Sequence, residues 1–172
     1  MKICYLIQSH QNPEQIYRLV RAIKATSDRA IIIINHDFTQ SQLDLNPLQD
    51  LSDIHLLTRT KPSQRADFSS IKPYLDTIEW LLTNQLDFDW LIYLSGQDYP
   101  TQPTNKIEKF LAQTNYDGFI NYWDVLSLGN PWGRGGFWRY YCQYYPLATF
   151  LSTAINRIFR SRLIKKQLQI IF

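Results

Sequence analysis

Residues 30–35 read Ala30-Ile31-Ile32-Ile33-Ile34-Asn35, and this run decides the fold class. Four consecutive isoleucines leave no polar alternation, so the segment suits a strand with both faces buried and is too short for a useful helix. Such a strand needs helices above and below it, and the flanking sequence offers them. Upstream, Lys2–Gln8 reads as a short apolar strand followed by turn formers. Asn12-Pro13-Glu14 then opens a helix, with Asn12 as cap, Pro13 in the first turn and Glu14 near the positive end of the dipole. Ile16, Leu19, Val20 and Ile23 carry it at helical spacing toward Ala25. Downstream, Ile54–Leu57 is a weaker strand. Ser69 or Ser70 is positioned to cap a second helix with Tyr74, Leu75, Ile78, Leu81 and Leu82 on its buried side. Trp90–Leu94 is the next strand, Thr104–Ala112 a helix and Gly118–Asn121 a further strand. Strands alternating with helices predict an α/β domain: a mostly parallel central sheet with helices on both faces. No internal repeat or low-complexity linker divides the chain. The pattern degrades after Asn121, which predicts an α/β domain over 1–122 and an aromatic, basic segment over 123–172.

The composition agrees with a packed domain. With 172 residues, 45% hydrophobic and 19% charged, the chain is neither disordered, collagen-like nor a disulfide-stapled miniprotein. Its longest aliphatic run, Ile31–Ile34, is far short of the roughly 18 apolar residues of a membrane span. The amino terminus lacks an apolar stretch ended by a small-residue cleavage site, so no signal peptide is expected. Cys4 and Cys142 have no C-x-x-C partner, which predicts reduced thiols and a cytoplasmic location.

Charge is uneven. Seven of the 18 basic residues and none of the 15 acidic ones follow Asp124, so the last 48 residues carry +7 and the first 124 carry −4. That split predicts an anionic contact for the tail, either a membrane surface, a nucleotide or a partner. Leu151, Ala154, Ile155, Ile158 and Phe159 share one helical face opposite Arg157 and Arg160, the pattern of an interfacial helix, although Arg162 and Lys166 rotate back onto the apolar face. Nucleic-acid binding is not expected, because the first 124 residues are net acidic and no RNA-binding motif occurs.

In an open parallel sheet, ligands bind outside the carboxyl ends of the strands. Three such ends are polar here: Gln8-Ser9-His10, Asn35-His36-Asp37 and Ser95-Gly96-Gln97-Asp98-Tyr99-Pro100. There is no glycine-rich dinucleotide fingerprint, P-loop or Gly-x-Ser-x-Gly elbow. Asp87-Phe88-Asp89 has metal-chelating D-x-D spacing but precedes a strand, on the wrong edge of the sheet. Asp98 is on the correct edge without a carboxylate neighbour, and His10, His36 and His55 lack zinc spacing. No metal and no cofactor are expected.

Leu91-Ile92-Tyr93-Leu94-Ser95-Gly96-Gln97-Asp98-Tyr99-Pro100 resembles the Leu-Ser-Gly-x-Asp-Tyr/Phe-Pro signature of the core-2/I-branching β-1,6-N-acetylglucosaminyltransferases and their xylosyltransferase relatives. Tyr5-Leu6-Ile7-Gln8-Ser9-His10-Gln11-Asn12-Pro13-Glu14-Gln15 is similar to that family's opening strand, His and Asn-Pro helix start, and Ile34-Asn35-His36-Asp37 to its Ile-His-x-Asp strand end. The resemblance spans roughly residues 3–121. It implies a nucleotide-diphospho-sugar transferase (GT-A-like) fold and metal-independent, inverting transfer from a UDP-sugar to a carbohydrate acceptor. It also implies donor-side roles for His10, Asp37, Ser69 and Asp98, although Ala66-Asp67-Phe68 stands where the family has a tryptophan-glycine pair before the serine. Acceptor-side residues would fall in the aromatic stretch, at Asp124, Arg134, Trp138 and Arg139, where rings stack on sugars and charged groups fix hydroxyls.

Family members continue well past the equivalent of Phe172, and their catalytic carboxylate and basic diphosphate contacts lie there. The sequence is therefore expected to be a C-terminally truncated donor half, without a catalytic residue of its own and inactive unless a partner chain supplies the rest. The competing expectation is a non-catalytic binding module that meets an anionic membrane surface through its basic tail.

Overall fold

The computed structural model describes residues 1–59, 61, 68–124, 127 and 129–133. The chain divides into two compact units, Met1–Asn115 and Tyr116–Phe172. In the first unit the elements run β1 (Ile3–Ser9), α1 (Pro13–Lys24), β2 (Ile31–Asp37), β3 (Ile54–Arg59), α2 (Lys72–Thr83), β4 (Trp90–Ser95) and α3 (Thr104–Gln113). The four strands pair in the order β3-β2-β1-β4, all parallel. This is the α/β architecture that the alternation of strands and helices predicts.

The isoleucine run behaves as its composition requires. Ile31 to Ile34 are all buried, and successive side chains enter opposite cores. Ile32 and Ile34 join Ile3, Tyr5 and Ile7 of β1 against Ile16, Leu19, Val20 and Ile23 of α1 and Leu111 of α3. Ile31 and Ile33 join Cys4 and Leu6 against Leu81 of α2. Helices thus cover both faces. Each fully buried aliphatic side chain contributes about 1.5–3 kcal/mol relative to exposure, which fixes β1 and β2 as the rigid centre from which the loops project.

Local details differ from expectation in three places. Asn12 precedes α1 in the left-handed region (φ 54°), and its side chain makes no cap; its carbonyl instead accepts from the amides of Gln15 (3.0 Å) and Ile16 (3.3 Å). Asparagine tolerates this conformation, which turns the carboxamide away from the helix. Ser69 and Ser70 do not cap α2 either. They belong to a short 3-10 turn, Phe68–Ser70, and Ile71 precedes the helix.

The buried face of α2 is also rotated. Pro73, Thr77 and Leu81 are buried, whereas Leu75 and Leu82 are exposed. The cause is polar: Asn35 Nδ2 donates to the Pro73 carbonyl (3.1 Å) and to Thr77 Oγ1 (3.2 Å), and the Thr77 hydroxyl donates back to Pro73 (2.8 Å). Seating that buried amide requires the Pro73–Thr77 edge of the helix to face the sheet.

In the second unit, residues 118–121 form no strand, which corrects the expected fifth strand. Phe119 and Ile120 stand exposed, so the short apolar run lacks the burial that makes such a segment a strand. Tyr116 and Phe119 pack edge to face, with ring centroids 5.7 Å apart. Among the described residues, no helix is long and apolar enough to cross a membrane.

Candidate functional site

The strand order reverses beside β1: the chain winds outward through β2 and β3, then returns to the other side for β4. Such a reversal opens a crevice between the diverging connections. At the carboxyl ends of β1 and β4 lies a shallow cleft with about 230 Å³ of empty space, part of it open to solvent. Gln8, Ser9, His10, Gln11 and Asn12 line one wall, Ser95, Gly96 and Gln97 the other, and Gln15 of α1 reaches in. The lining is polar and carries no carboxylate. Among the described residues, the side chains of Gln11, Asn12, Gln15 and Gln97 make no hydrogen bonds to one another or to neighbours, leaving carboxamide donors and acceptors for a polar ligand.

The β4 wall is a self-bonded turn. Asp98 Oδ2 accepts the Ser95 amide (2.6 Å), the Asp98 amide donates to the Ser95 carbonyl (3.0 Å), and the Gln97 amide donates to Ser95 Oγ (3.2 Å). The Gly96 amide donates to the Gln8 carbonyl at 2.8 Å and ties the turn to β1. A Cβ at Gly96 would stand 2.9 Å from the Ser9 Cβ. Glycine is required here by close approach, not by an unusual φ.

Behind the β1 wall lies a buried imidazole. His36 is fully buried, opposite Ser9 in the ladder, with Nδ1 2.8 Å from Ser9 Oγ and Nε2 3.0 Å from the Ser41 carbonyl and 3.1 Å from Ser41 Oγ. The Ser41 hydroxyl donates to the His10 carbonyl (3.0 Å). A carbonyl can only accept, so Nε2 carries a proton, and in the neutral ring Nδ1 is then bare and accepts the Ser9 O–H. Burial holds the His36 imidazole below its ordinary pKa.

The four expected donor-side residues do not all meet. His10 lines the cleft, and Asp98 sits in the turn beside it, engaged with Ser95. Ser69 lies in the 3-10 turn before α2; the neighbouring Ser70 carbonyl is 3.5 Å from Gln8 Nε2. Asp37 is buried. One of its oxygens accepts from Thr39 N (3.0 Å) and Oγ1 (2.6 Å), and the other pairs with Arg59 at 2.9 Å. On the α2 side of the sheet, Tyr93 donates from its hydroxyl to Gln8 Oε1, and its ring packs edge to face on Tyr74 at 5.4 Å.

Asp124 is exposed in the second unit, where its carbonyl accepts from the amide (3.1 Å) and hydroxyl (2.8 Å) of Ser127. Arg134, Trp138 and Arg139, Cys142 and the basic stretch from Leu151 to Lys166 lie outside the described residues. At the opposite edge of the sheet, Asp89 Oδ2 accepts the Lys2 amide (2.6 Å) and the Asp89 amide donates to the Lys2 carbonyl (2.8 Å). Asp89 of the D-x-D pair is therefore tied to the residue that precedes β1, away from the cleft. Cys4, the second residue of β1, is buried and its thiol is pushed up to about 12 by desolvation, so it is no nucleophile at neutral pH.

Sequence reasoning missed the roles of Arg59 and of the Ser9–His36 pair. Both depend on cross-strand register, Asp37 opposite Arg59 and Ser9 opposite His36, and a single sequence carries no signal for register between separated strands. No protein-family model matches the chain, and a search of curated proteins returns no match.

Proposed function

We propose that the chain binds the nucleotide part of a UDP-sugar in the cleft between β1 and β4. On this reading it is a glycosyltransferase-like protein of the core-2/I-branching type with a nucleotide-diphospho-sugar transferase fold. One observation carries the proposal. The two stretches that resemble the family's signatures, residues 5–15 and 91–100, are remote in sequence, yet Gln8–Asn12 and Ser95–Gln97 form facing walls of one cleft. The chemistry of the walls suits the ligand. Uncharged carboxamides and a histidine match the donors and acceptors of a pyrimidine and a ribose, and a carboxylate-free lining does not repel an anion.

In this proposal His10 meets the donor directly, Asp98 fixes the turn that carries Gln97, and Asp37 acts from behind through the loop it caps. Ser69 contributes from the turn before α2. Transfer itself calls for a carboxylate that takes the acceptor's proton as the sugar is displaced, and the proposal assigns that role to no residue. Exposed Tyr122 and Trp123, next to Asp124, offer ring faces for a sugar acceptor.

Titration of the full chain with UDP in the presence of a chelator tests the proposal, with ADP as the control. At a hundredfold excess over Kd a ligand specific for the native state adds about 2.7 kcal/mol to stability. Stabilisation by UDP and not by ADP is expected. No change in unfolding midpoint at millimolar UDP, or equal response to both nucleotides, refutes it.

A further inference from the structure

We propose that neutral His36 is a positioning residue of the cleft, holding Ser9 and, through Ser41, the His10 carbonyl in the shape that a ligand meets. Three features of the fold carry this. The imidazole has no solvent exposure, and both ring nitrogens are bonded to separate segments, the end of β1 and the loop after β2. The chain of contacts runs without a break from Ser9 Oγ through the ring to Ser41 Oγ and on to the His10 carbonyl. Its two ends, Ser9 and His10, are neighbours in the cleft wall. Phe38 packs edge to face with the ring at 5.0 Å and forms one wall of its buried site.

The arrangement works in one protonation state. A proton on Nδ1 removes the acceptor for the Ser9 hydroxyl and sets N–H against O–H, so Ser9 must turn. The charged groups around the ring act in opposite senses. Asp37, next in β2, favours the cation, while Arg59 of β3 and His10 beyond β1 oppose it. Asp37 is itself paired with Arg59 (2.9 Å), which leaves the ring with little net help in holding a charge. The end of β1 is therefore expected to loosen as His36 is protonated, and ligand affinity to fall with it.

The experiment has a ligand-free and a ligand arm; only the second rests on the UDP reading. In the isotope-labelled full chain, long-range proton–nitrogen spectra are expected to show Nε2 protonated and Nδ1 bare. The amides of Ser9, His10 and Gly96 are expected to titrate with the His36 midpoint, below about pH 6.5. A protonated Nδ1 in the neutral ring, or amide midpoints that differ from that of the His36 ring, overturns the proposal.

In the ligand arm, UDP affinity is expected to weaken at least about threefold between about pH 7.5 and about pH 5.5. His36→Gln, which can accept from Ser9 and donate to Ser41, is expected to lose the His36 step from the pH profile of UDP affinity. Retention of that step in His36→Gln counts against the proposal. Absence of UDP binding at every pH removes the nucleotide reading and leaves the ligand-free arm to decide the role of His36.

Discussion

Replacing Gly96 with alanine places a methyl carbon 2.9 Å from the Ser9 Cβ, 3.6 Å from the Gln8 carbonyl oxygen and 3.6 Å from Ile16 Cγ1. The first distance is far inside carbon–carbon contact, which lies near about 3.5–4.0 Å. Ser9 cannot yield by rotating its side chain, because Cβ is fixed to the backbone. That backbone is paired with His36 of β2, and the Gly96 amide is bonded to the Gln8 carbonyl. The two strand ends must separate by about half an ångström or more to restore contact distance. Overpacking of this kind costs about 1–3 kcal/mol, or roughly 2–12 °C in Tm for a chain of this length.

Urea denaturation of the full chain at neutral pH, followed by far-UV circular dichroism, measures the loss. Gly118→Ala is the control: no atom lies within 4 Å of its added methyl, so its change stays within about 0.5 kcal/mol. The double variant Ser9→Gly/Gly96→Ala removes the clashing carbon and is expected to recover part of the loss, short by the value of the Ser9–His36 hydrogen bond, about 1 kcal/mol. Gly96→Ala at full stability, or a double variant weaker than the sum of the two single changes, refutes the packing of the turn on β1.

Three other outcomes follow from the same geometry. Asp37→Asn removes the carboxylate that pairs with the mostly buried Arg59 guanidinium at 2.9 Å and is expected to cost about 3–5 kcal/mol by denaturant titration; a loss under about 1 kcal/mol, the value of an exposed pair, shows that the pair is solvated. Cys4, with its thiol raised to about 12, is expected to resist maleimide in the native state and react promptly in denaturant, read by mass spectrometry of the Cys4 peptide; rapid native labelling contradicts its burial. Because burial holds His36 below its ordinary value, the unfolded chain binds a proton that the native one refuses. That share of stability is complete above about pH 6.5 and lost as pH falls through and below it. His36→Gln flattens the pH slope of unfolding free energy in that window, and an unchanged slope rejects the assignment.

How far the sequence could be read depended on the range of the interactions. The isoleucine run and the periodicity of α1 are local signals with a single outcome in packing, and both are realised in the described structure. The face of α2 was illegible because hydrophobicity favours Leu75 and Leu82, while the actual rotation follows one buried carboxamide, Asn35, reaching Thr77 from another strand. The expected strand at residues 118–121 failed for a similar reason: so short a segment becomes a strand only where it packs on neighbours, and Phe119 and Ile120 stand exposed. At the site, the edge rule alone brings Gln8-Ser9-His10 and Ser95-Gly96-Gln97 together. It did not distinguish His10, which lines the cleft, from Asp37, whose carboxylate is committed to Arg59 and Thr39.

That last contrast bears on what the sequence resemblance can support. Within Ser95-Gly96-Gln97-Asp98, the glycine is demanded by contact with Ser9 and the aspartate by the Ser95 amide. Asp37 likewise closes its own turn through Thr39. All three would be retained by any chain that folds this way, with or without a nucleotide. Residues whose side chains line the cleft and make no hydrogen bond among the described residues, Gln11 and Gln97 foremost, are exposed and hold no part of the turn together. They are the positions where a change should alter binding and spare stability. Gln97→Ala and Gln11→Ala are each expected to leave the denaturation midpoint unchanged within about 0.5 kcal/mol while weakening UDP binding. If both variants bind UDP as the parent does, the motif speaks for the fold of this sheet edge alone, and the ligand lies elsewhere.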